Sequence, residues 1–237
     1  MKIVFTPDWF LGSDVLIETF SFLVLLAFFI LAYKNYKLSK NRSTKYLGLG
    51  FLAIAIAELA TVLTKFVLYY DTTFTQNIGQ IAVTSHLVQS VDIFYYIGFF
   101  FHKLLTLGGL YIIYRIPLKR KLERDSLLAL CFIIISAAFS SSIYYLFHLA
   151  ALILLLLIIN NYYEVYKKNK SDNTAILITA FSLLALSQLI FILSQIGTLY
   201  VIAQLAQLVS YLILLVLIMR ITREKHGRKK SRFGNKN

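Results

Sequence analysis

The fold is decided by one apolar tract, Ser126–Asn160, which reads SLLALCFIIISAAFSSSIYYLFHLAALILLLLIIN. A helix needs about 20 apolar residues to cross the hydrocarbon core of a bilayer, so this tract is too long for a single span. Basic runs flank both of its ends, at Lys119–Lys121 and at Lys167–Lys168. Because Lys and Arg concentrate on the cytoplasmic side, the tract is predicted to leave that side and return as a hairpin. Its turn is predicted at Ser140–Ser142, where the residue types favour a turn.

A second apolar tract, Thr174–Met219, has the same flanks and is also too long for one span. It is predicted to turn at Gly197–Thr198, so the two tracts supply four helices. Three shorter apolar stretches precede them, and the fold class is therefore all-α, a polytopic membrane protein with seven transmembrane helices. The predicted helices are 15–33, 46–69, 92–114, 126–140, 143–160, 174–195 and 198–219, in a membrane domain of residues 1–221 followed by a basic tail of residues 222–237.

The composition excludes most other classes of protein. Hydrophobic residues make up 59% of the chain and charged residues 15%, whereas soluble domains carry about 25% charged residues. The single cysteine, Cys131, excludes a disulfide scaffold. A net charge of +13 is interpreted as a topology signal and not as a nucleic-acid surface, because too little polar sequence is present for a separate binding domain. The lipid bilayer is therefore the first partner.

The distribution of positive charge predicts the orientation. With the N-terminus outside, the cytoplasmic segments are 34–45, 115–125, 164–173 and 220–237, and they hold 21 of the 24 Lys and Arg residues. The positive-inside rule thus predicts an N-out, C-in protein, and we expect it in a prokaryotic plasma membrane. The basic tail is expected to bind anionic lipid at about 1 kcal/mol per basic residue.

A displacement of 130 residues aligns Tyr33–Leu63 with Tyr163–Leu193 without a gap and gives ten identities in 31 positions, including an aromatic and basic loop. This pattern predicts a parallel 3+1+3 internal repeat, in which helices 1–3 and 5–7 are equivalent and helix 4 links them. Helices 3 and 7 align only at a different offset, with His102 opposite Gln207. Parallel repeats pack around an axis along the membrane normal, with sites near the midplane between the halves.

Charged residues inside the predicted spans need a partner or a water-filled cavity, because each costs at least a few kcal/mol in the bilayer. Counting from the helix ends places Glu58 and Lys103 at one depth near mid-membrane, and Glu18 and Lys65 at another depth nearer the outside. Both combinations are predicted ion pairs. Each pair is a candidate for a binding site and, equally, for a contact that only holds two helices together.

The second half of the chain carries polar side chains at the same levels. The 130-residue alignment places Glu58 opposite Gln188 and Glu18 opposite His148. We predict an outward-facing polar cavity whose candidate ligand-binding residues are Glu58, Lys103, Gln188, Gln204, Gln207 and His148.

Motifs for catalysis are not found in the sequence. It lacks G-x-S-x-G, H-E-x-x-H and a phosphate-binding glycine loop. The sequence has no two His residues at i, i+4 and no Cys beside a His, so it suggests no metal site. The sequence therefore predicts no enzyme activity, no metal and no cofactor. Glycines at Gly48, Gly50 and Gly108-Gly109 are predicted to allow close helix packing.

Two short segments resemble a known class of protein. The exit from helix 1, Ala32–Lys37 (AYKNYK), and the entry to helix 2, Tyr46–Phe51 (YLGLGF), resemble the seven-helix sensor modules at the N-termini of some prokaryotic histidine kinases. The resemblance covers about a quarter of the chain and implies a sensor that signals through a cytoplasmic or membrane partner protein, because only a short tail follows helix 7.

Microbial rhodopsins and SWEET sugar transporters share the seven-helix plan. The rhodopsins need a lysine in helix 7, which Thr198–Met219 lacks, and SWEET helices carry prolines, which here occur only at Pro7 and Pro117. The first hypothesis is therefore a non-enzymatic, sensor- or receptor-like membrane protein. A small-solute or ion transporter is the alternative, and a structural membrane subunit is the second alternative.

Overall fold

The computed structural model describes the backbone of residues 8–10, 12–78, 82–117, 124–140, 143–193 and 197–234, and the side chains of residues 9–10, 12–67, 96–117, 127–140, 143–193 and 197–223. After a short 3-10 helix at Asp8–Phe10, the described residues form seven α-helices. They are α1 (Ser13–Ser39), α2 (Arg42–Ile78), α3 (Ala82–Arg115), α4 (Arg124–Phe139), α5 (Tyr144–Asn169), α6 (Asp172–Leu193) and α7 (Gly197–Gly234).

Six of these helices, all except α4, are long and apolar enough to cross a membrane. The helix α4 has 16 residues, or about 24 Å at 1.5 Å per residue, which is shorter than a hydrocarbon core of about 30 Å. The sequence prediction of seven helices is thus confirmed, with six long enough to span a membrane and a fourth, predicted at 126–140, that is a short apolar helix. The last helix is longer than the predicted 198–219, because α7 continues through Gly234. Lys and Arg are good helix formers, so the end of the apolar run does not end the helix.

The six long helices form a ring in the order α1, α2, α3, α5, α6, α7, which closes where α7 packs against α1. The helix α4 lies outside this ring and packs against α3 and α5. Its outer side chains are large and apolar, among them Leu127, Leu130 and Ile134, which are more than 40% exposed. Such a surface suits contact with lipid chains.

The end of the ring at which α1 ends is filled by aromatic side chains. Phe51 of α2 and Phe181 of α6 are fully buried and stack with their ring centroids 6.3 Å apart and their planes 6° from parallel. Phe28 of α1 contacts Phe51 at a centroid distance of 4.4 Å. Because stacked and tilted aromatic pairs add to the energy of burial, they close this end of the ring with a packed core.

The helices α1 and α5 end in the same way. Lys40 and Lys170, 130 residues apart, are the non-glycine residues with positive φ in the described chain, at 54° and 43°. Each residue forms a left-handed helix cap. The backbone N–H of Lys40 donates to the carbonyl oxygen of Tyr36, and that of Lys170 donates to the carbonyl oxygen of Tyr166, both at 2.7 Å. The two loops that follow therefore begin with the same backbone geometry.

Glycines bring α2 and α3 into close contact, as the sequence predicted. A Cβ atom added to Gly109 would lie 2.6 Å from the carbonyl oxygen of Gly50, and one added to Gly50 would lie 2.9 Å from that of Gly109. Gly108, by contrast, faces open space. Small residues at such a contact let two helix backbones approach closely.

Candidate functional site

A cavity of about 150 Å³, here called the central cavity, lies inside the ring. All six ring helices contribute side chains to its wall, and every candidate site residue from the sequence is among them. The cavity occupies the part of the ring near the start of α1, and the Phe51–Phe181 stack lies beyond it, about two helical turns past Glu58 and Gln188.

The charged part of the wall is centred on Lys65 of α2. The Lys65 Nζ atom lies 2.7 Å from Asp14 Oδ2 and 2.6 Å from Glu18 Oε1, and all three side chains are at most 10% exposed. The structure thus contains the Glu18–Lys65 salt bridge and adds Asp14 to it. The second oxygen of Asp14 accepts the backbone N–H groups of Gly12 and Val15 at 3.0 and 2.9 Å, which fixes the carboxylate at the start of α1.

One face of α7 extends this polar network toward mid-cavity. Gln204 Nε2 donates to the Tyr200 hydroxyl oxygen at 2.9 Å and to Glu18 Oε1 at 3.3 Å. Gln207 Nε2 donates to Glu58 Oε1 at 2.9 Å and to the Tyr211 hydroxyl oxygen at 3.0 Å. The spacing of these four α7 residues, four, three and four, keeps them on one side of the helix.

The predicted ion pair between Glu58 and Lys103 is wrong. Lys103 Nζ donates to the backbone carbonyl oxygen of Ser140 at 3.2 Å, whereas Glu58 Oε1 accepts from Gln207 and from the Tyr211 hydroxyl, the latter at 3.4 Å. Ser140 follows the last residue of α4, and carbonyl groups at a helix C-terminus lack intrahelical partners and attract cations. Glu58 and Lys103 lie at the same depth, but each contacts a different partner.

The other half of the wall is neutral. His148 Nδ1 donates to Gln188 Oε1 at 2.8 Å, and the imidazole ring stacks on Phe191 with a centroid distance of 4.8 Å. His102 also lines the cavity and contacts the carbonyl oxygen of Ala57 through Nδ1 at 3.1 Å. These contacts fill the second half with aromatic and amide groups.

The wall positions correspond between the two halves of the chain. Six positions of α1 and α2 line the cavity together with the positions 130 residues later in α5 and α6. Four wall positions of α3 and four of α7 are related by a displacement of 101 residues. The corresponding wall residues are Ile17 and Phe147, Glu18 and His148, Ser21 and Ala151, Ile54 and Leu184, Glu58 and Gln188, Thr61 and Phe191, Phe99 and Tyr200, Lys103 and Gln204, Thr106 and Gln207, and Leu110 and Tyr211.

Three buried polar atoms of the wall have no hydrogen-bond partner in the described part of the chain. They are Glu18 Oε2, Gln204 Oε1 and Thr106 Oγ1. A buried polar group without a partner costs about 1–3 kcal/mol, so such atoms need a partner that is not part of the protein.

The described residues contain no group of three or more His, Cys, Asp or Glu side chains that could hold a metal ion. The sequence missed Thr106, Tyr200 and Tyr211 as members of the wall, and it missed Asp14 as a partner of the wall residue Lys65. Three of them carry a readable signal, because each lies four residues along its helix from a candidate residue: Asp14 from Glu18, Tyr200 from Gln204, and Tyr211 from Gln207.

No protein-family model matches this chain, and no curated protein and no solved structure is significantly similar to it.

Proposed function

We propose that this protein is a non-enzymatic, receptor- or sensor-like membrane protein that binds a small ligand in the central cavity. The observation that carries the proposal is the set of unpartnered buried atoms on the cavity wall, Glu18 Oε2, Gln204 Oε1 and Thr106 Oγ1. Binding sites are concave, and a small number of placed polar groups orients the ligand. A ligand that supplies donors to these atoms recovers the free energy that their burial costs.

A parallel internal repeat supports a site between two halves. The ring order α1, α2, α3, α5, α6, α7 is the order that a two-fold axis through the cavity produces if α1–α3 are equivalent to α5–α7. The matching wall positions and the matching ends of α1 and α5 agree with this arrangement. In parallel repeats, ligand sites lie at the interface of the repeats.

Two features favour a receptor over a transporter. The aromatic core around Phe51 and Phe181 closes one end of the ring, and the sequence places both prolines, Pro7 and Pro117, outside the six long helices.

The helix α7 carries four wall residues and continues without a break to Gly234. We infer that a signal leaves the cavity along this helix, toward a cytoplasmic or membrane partner protein.

The orientation belongs to the proposal as well. Basic residues concentrate in the loops at the end of the ring where α1 and α5 end, which favours N-out, C-in insertion in a prokaryotic plasma membrane. The cavity then lies nearer the outer surface, where an external ligand reaches it. The basic extension of α7 then lies at the cytoplasmic surface, where anionic lipid attracts it.

Cysteine accessibility tests whether water reaches the cavity. In a Cys131→Ser background, Gln188→Cys and Gln204→Cys should react with a small water-soluble methanethiosulfonate. The matched controls are Leu189→Cys and Leu205→Cys, whose positions are 43% and 47% exposed on the outer, lipid-facing surface of the same helices. The controls should react much more slowly, because a thiol in hydrocarbon is not ionised. Equal rates at cavity and control positions would refute an accessible site.

Transport and a structural role predict different results. A transporter would move solute into proteoliposomes, and Glu58→Gln would abolish that uptake. A structural subunit would lose stability in Glu58→Gln without any binding or uptake signal to lose. The receptor proposal expects binding without uptake, and it expects Glu58→Gln to change binding.

A further inference from the structure

We propose that the ligand of the central cavity is a small organic cation, a protonated alkylamine. This inference rests on the proposed function, since it names the ligand class for that same cavity. It depends on the distribution of charge, of unpartnered acceptors and of aromatic rings around one part of the wall.

Between α1, α2 and α7 the wall carries two carboxylates, those of Glu18 and Glu58, and one ammonium group, that of Lys65. Among the described residues Lys65 contacts both Glu18 and Asp14, whereas Glu58, two turns earlier in α2, contacts the neutral donors Gln207 and Tyr211. The second cationic side chain of the wall, Lys103, directs its Nζ atom to a carbonyl oxygen of the α4 end. The region between α1, α2 and α7 therefore has one carboxylate more than it has ammonium groups, and an ammonium ligand supplies the missing partner.

The polar atoms that lack a partner there accept hydrogen bonds. Glu18 Oε2 and Gln204 Oε1 are carboxylate and amide oxygens, and their residues are 8% and 6% exposed. Oxygen atoms of this kind have no hydrogen to donate, so only a ligand with N–H or O–H groups satisfies them. An ammonium group supplies three donors and the missing positive charge together.

The aromatic part of the wall suits the apolar part of an organic cation. The Phe191 ring lies between His148 and Tyr200, at centroid distances of 4.8 and 5.6 Å. Aromatic faces attract cations and also pack against alkyl groups. An engineered apolar cavity of about 150 Å³ holds one benzene molecule, so a cavity of about 150 Å³ here fits roughly six non-hydrogen atoms. A bare inorganic ion would leave most of that space to water.

Four probes of nearly equal size separate the possibilities: n-butylammonium, 1-butanol, butyrate and tetramethylammonium. They differ in charge and in the presence of N–H donors. Binding to the purified full-length protein in detergent is measured by calorimetric titration and by thermal stabilisation. We expect n-butylammonium to bind best, tetramethylammonium to bind weakly because it has no donor, and the neutral and anionic probes to bind least.

Variants identify the atoms that bind. Removing one charge-assisted contact should weaken n-butylammonium binding by about tenfold or more, so Glu58→Gln and Glu18→Gln should both show this loss. Glu164→Gln is the matched control, because Glu164 is 55% exposed and pairs with Lys167 at the other end of the bundle, and it should leave the affinity unchanged. Should Glu18→Gln fail to fold, Glu58→Gln and the probe series still decide.

Several results would overturn the inference. Equal binding of 1-butanol and n-butylammonium would show that charge is not recognised, and stronger binding of butyrate would assign the site to anions. Competition by NaCl or KCl at the concentration at which the amine binds would assign it to an inorganic cation. If the cysteines at 188 and 204 react with the thiol reagent but no amine binds, the accessible cavity stands and the ligand class is wrong. If neither cysteine reacts, the proposed function itself fails.

Discussion

Replacing Lys65 with methionine removes the cation that, among the described residues, pairs with both Asp14 and Glu18. The two contacts, 2.7 and 2.6 Å long, are buried on both sides. Removing one partner of a buried ion pair costs about 3–5 kcal/mol, because the remaining charge is uncompensated. Asp14 keeps its two backbone donors, so most of the loss comes from Glu18, and we expect a decrease of about 3 kcal/mol in the free energy of unfolding.

The measurement is a titration with sodium dodecyl sulfate of the protein in mixed micelles, followed by far-ultraviolet circular dichroism. The matched control is Lys167→Met, which removes an exposed ion pair with Glu164 at 3.3 Å. That pair links residues three apart on a helix surface and should contribute no more than about 0.5 kcal/mol. A triple variant with Lys65→Met, Asp14→Asn and Glu18→Gln should regain much of the lost stability, because no unpaired charge of this cluster remains.

Two results would refute this reasoning. The first is a Lys65→Met variant that loses no more stability than Lys167→Met. The second is a triple variant less stable than Lys65→Met alone, since the carboxylates would then stabilise the ring without their cation.

Three other perturbations test the packing and the topology. Gly109→Ala places a methyl group 2.6 Å from the Gly50 carbonyl oxygen and should lower the free energy of unfolding by about 1–3 kcal/mol. The control is Gly108→Ala, which faces open space and should not destabilise the protein. Equal effects of the two substitutions would contradict the close contact between α2 and α3. Phe51→Ala should cost about 3–5 kcal/mol in the same titration, and adding Phe181→Ala should cost less than the sum of the single changes because the rings contact each other. In a Cys131→Ser background, Ile143→Cys should react with an impermeant maleimide in intact cells and Leu38→Cys only after permeabilisation, both positions being about 40% exposed; the reverse pattern would overturn N-out insertion.

The lengths of the apolar runs are enough to predict the helices, because a backbone in hydrocarbon must satisfy its own hydrogen bonds. Counting residues from the helix ends also predicts the depth of each charge, and Glu18 and Lys65 meet at one depth. The same count failed for Glu58 and Lys103. Depth fixes the level of a side chain but not its direction around the helix axis, which changes by about 100° per residue. At this depth Lys103 contacts a carbonyl oxygen at the end of α4, which lies outside the ring, and a count of residues does not reveal that contact.

Local spacing carries part of the missing information. Asp14 precedes Glu18 by four residues, and Tyr200 and Tyr211 each lie four residues from a glutamine of α7, so each occupies the same helix face as a recognised polar residue. Tyr200 lies near the start of a predicted span, where an aromatic residue is first expected at the lipid interface. Thr106 has no such signal, because its hydroxyl group is compatible with any helix face.

The position of α4 explains how two three-helix units can surround one cavity. Glu18 near the start of α1 and His148 near the start of α5 line the same cavity, so the two helices begin at the same end of the ring. Since α3 ends at the opposite end, the chain must return along the bundle before α5 begins, and α4 provides that return outside the ring. A short helix suffices for this connection because it contributes no side chain to the cavity wall among the described residues. A linker inside the ring would separate α3 from α5, and a linker without a crossing would reverse the second unit and place His148 far from Glu18.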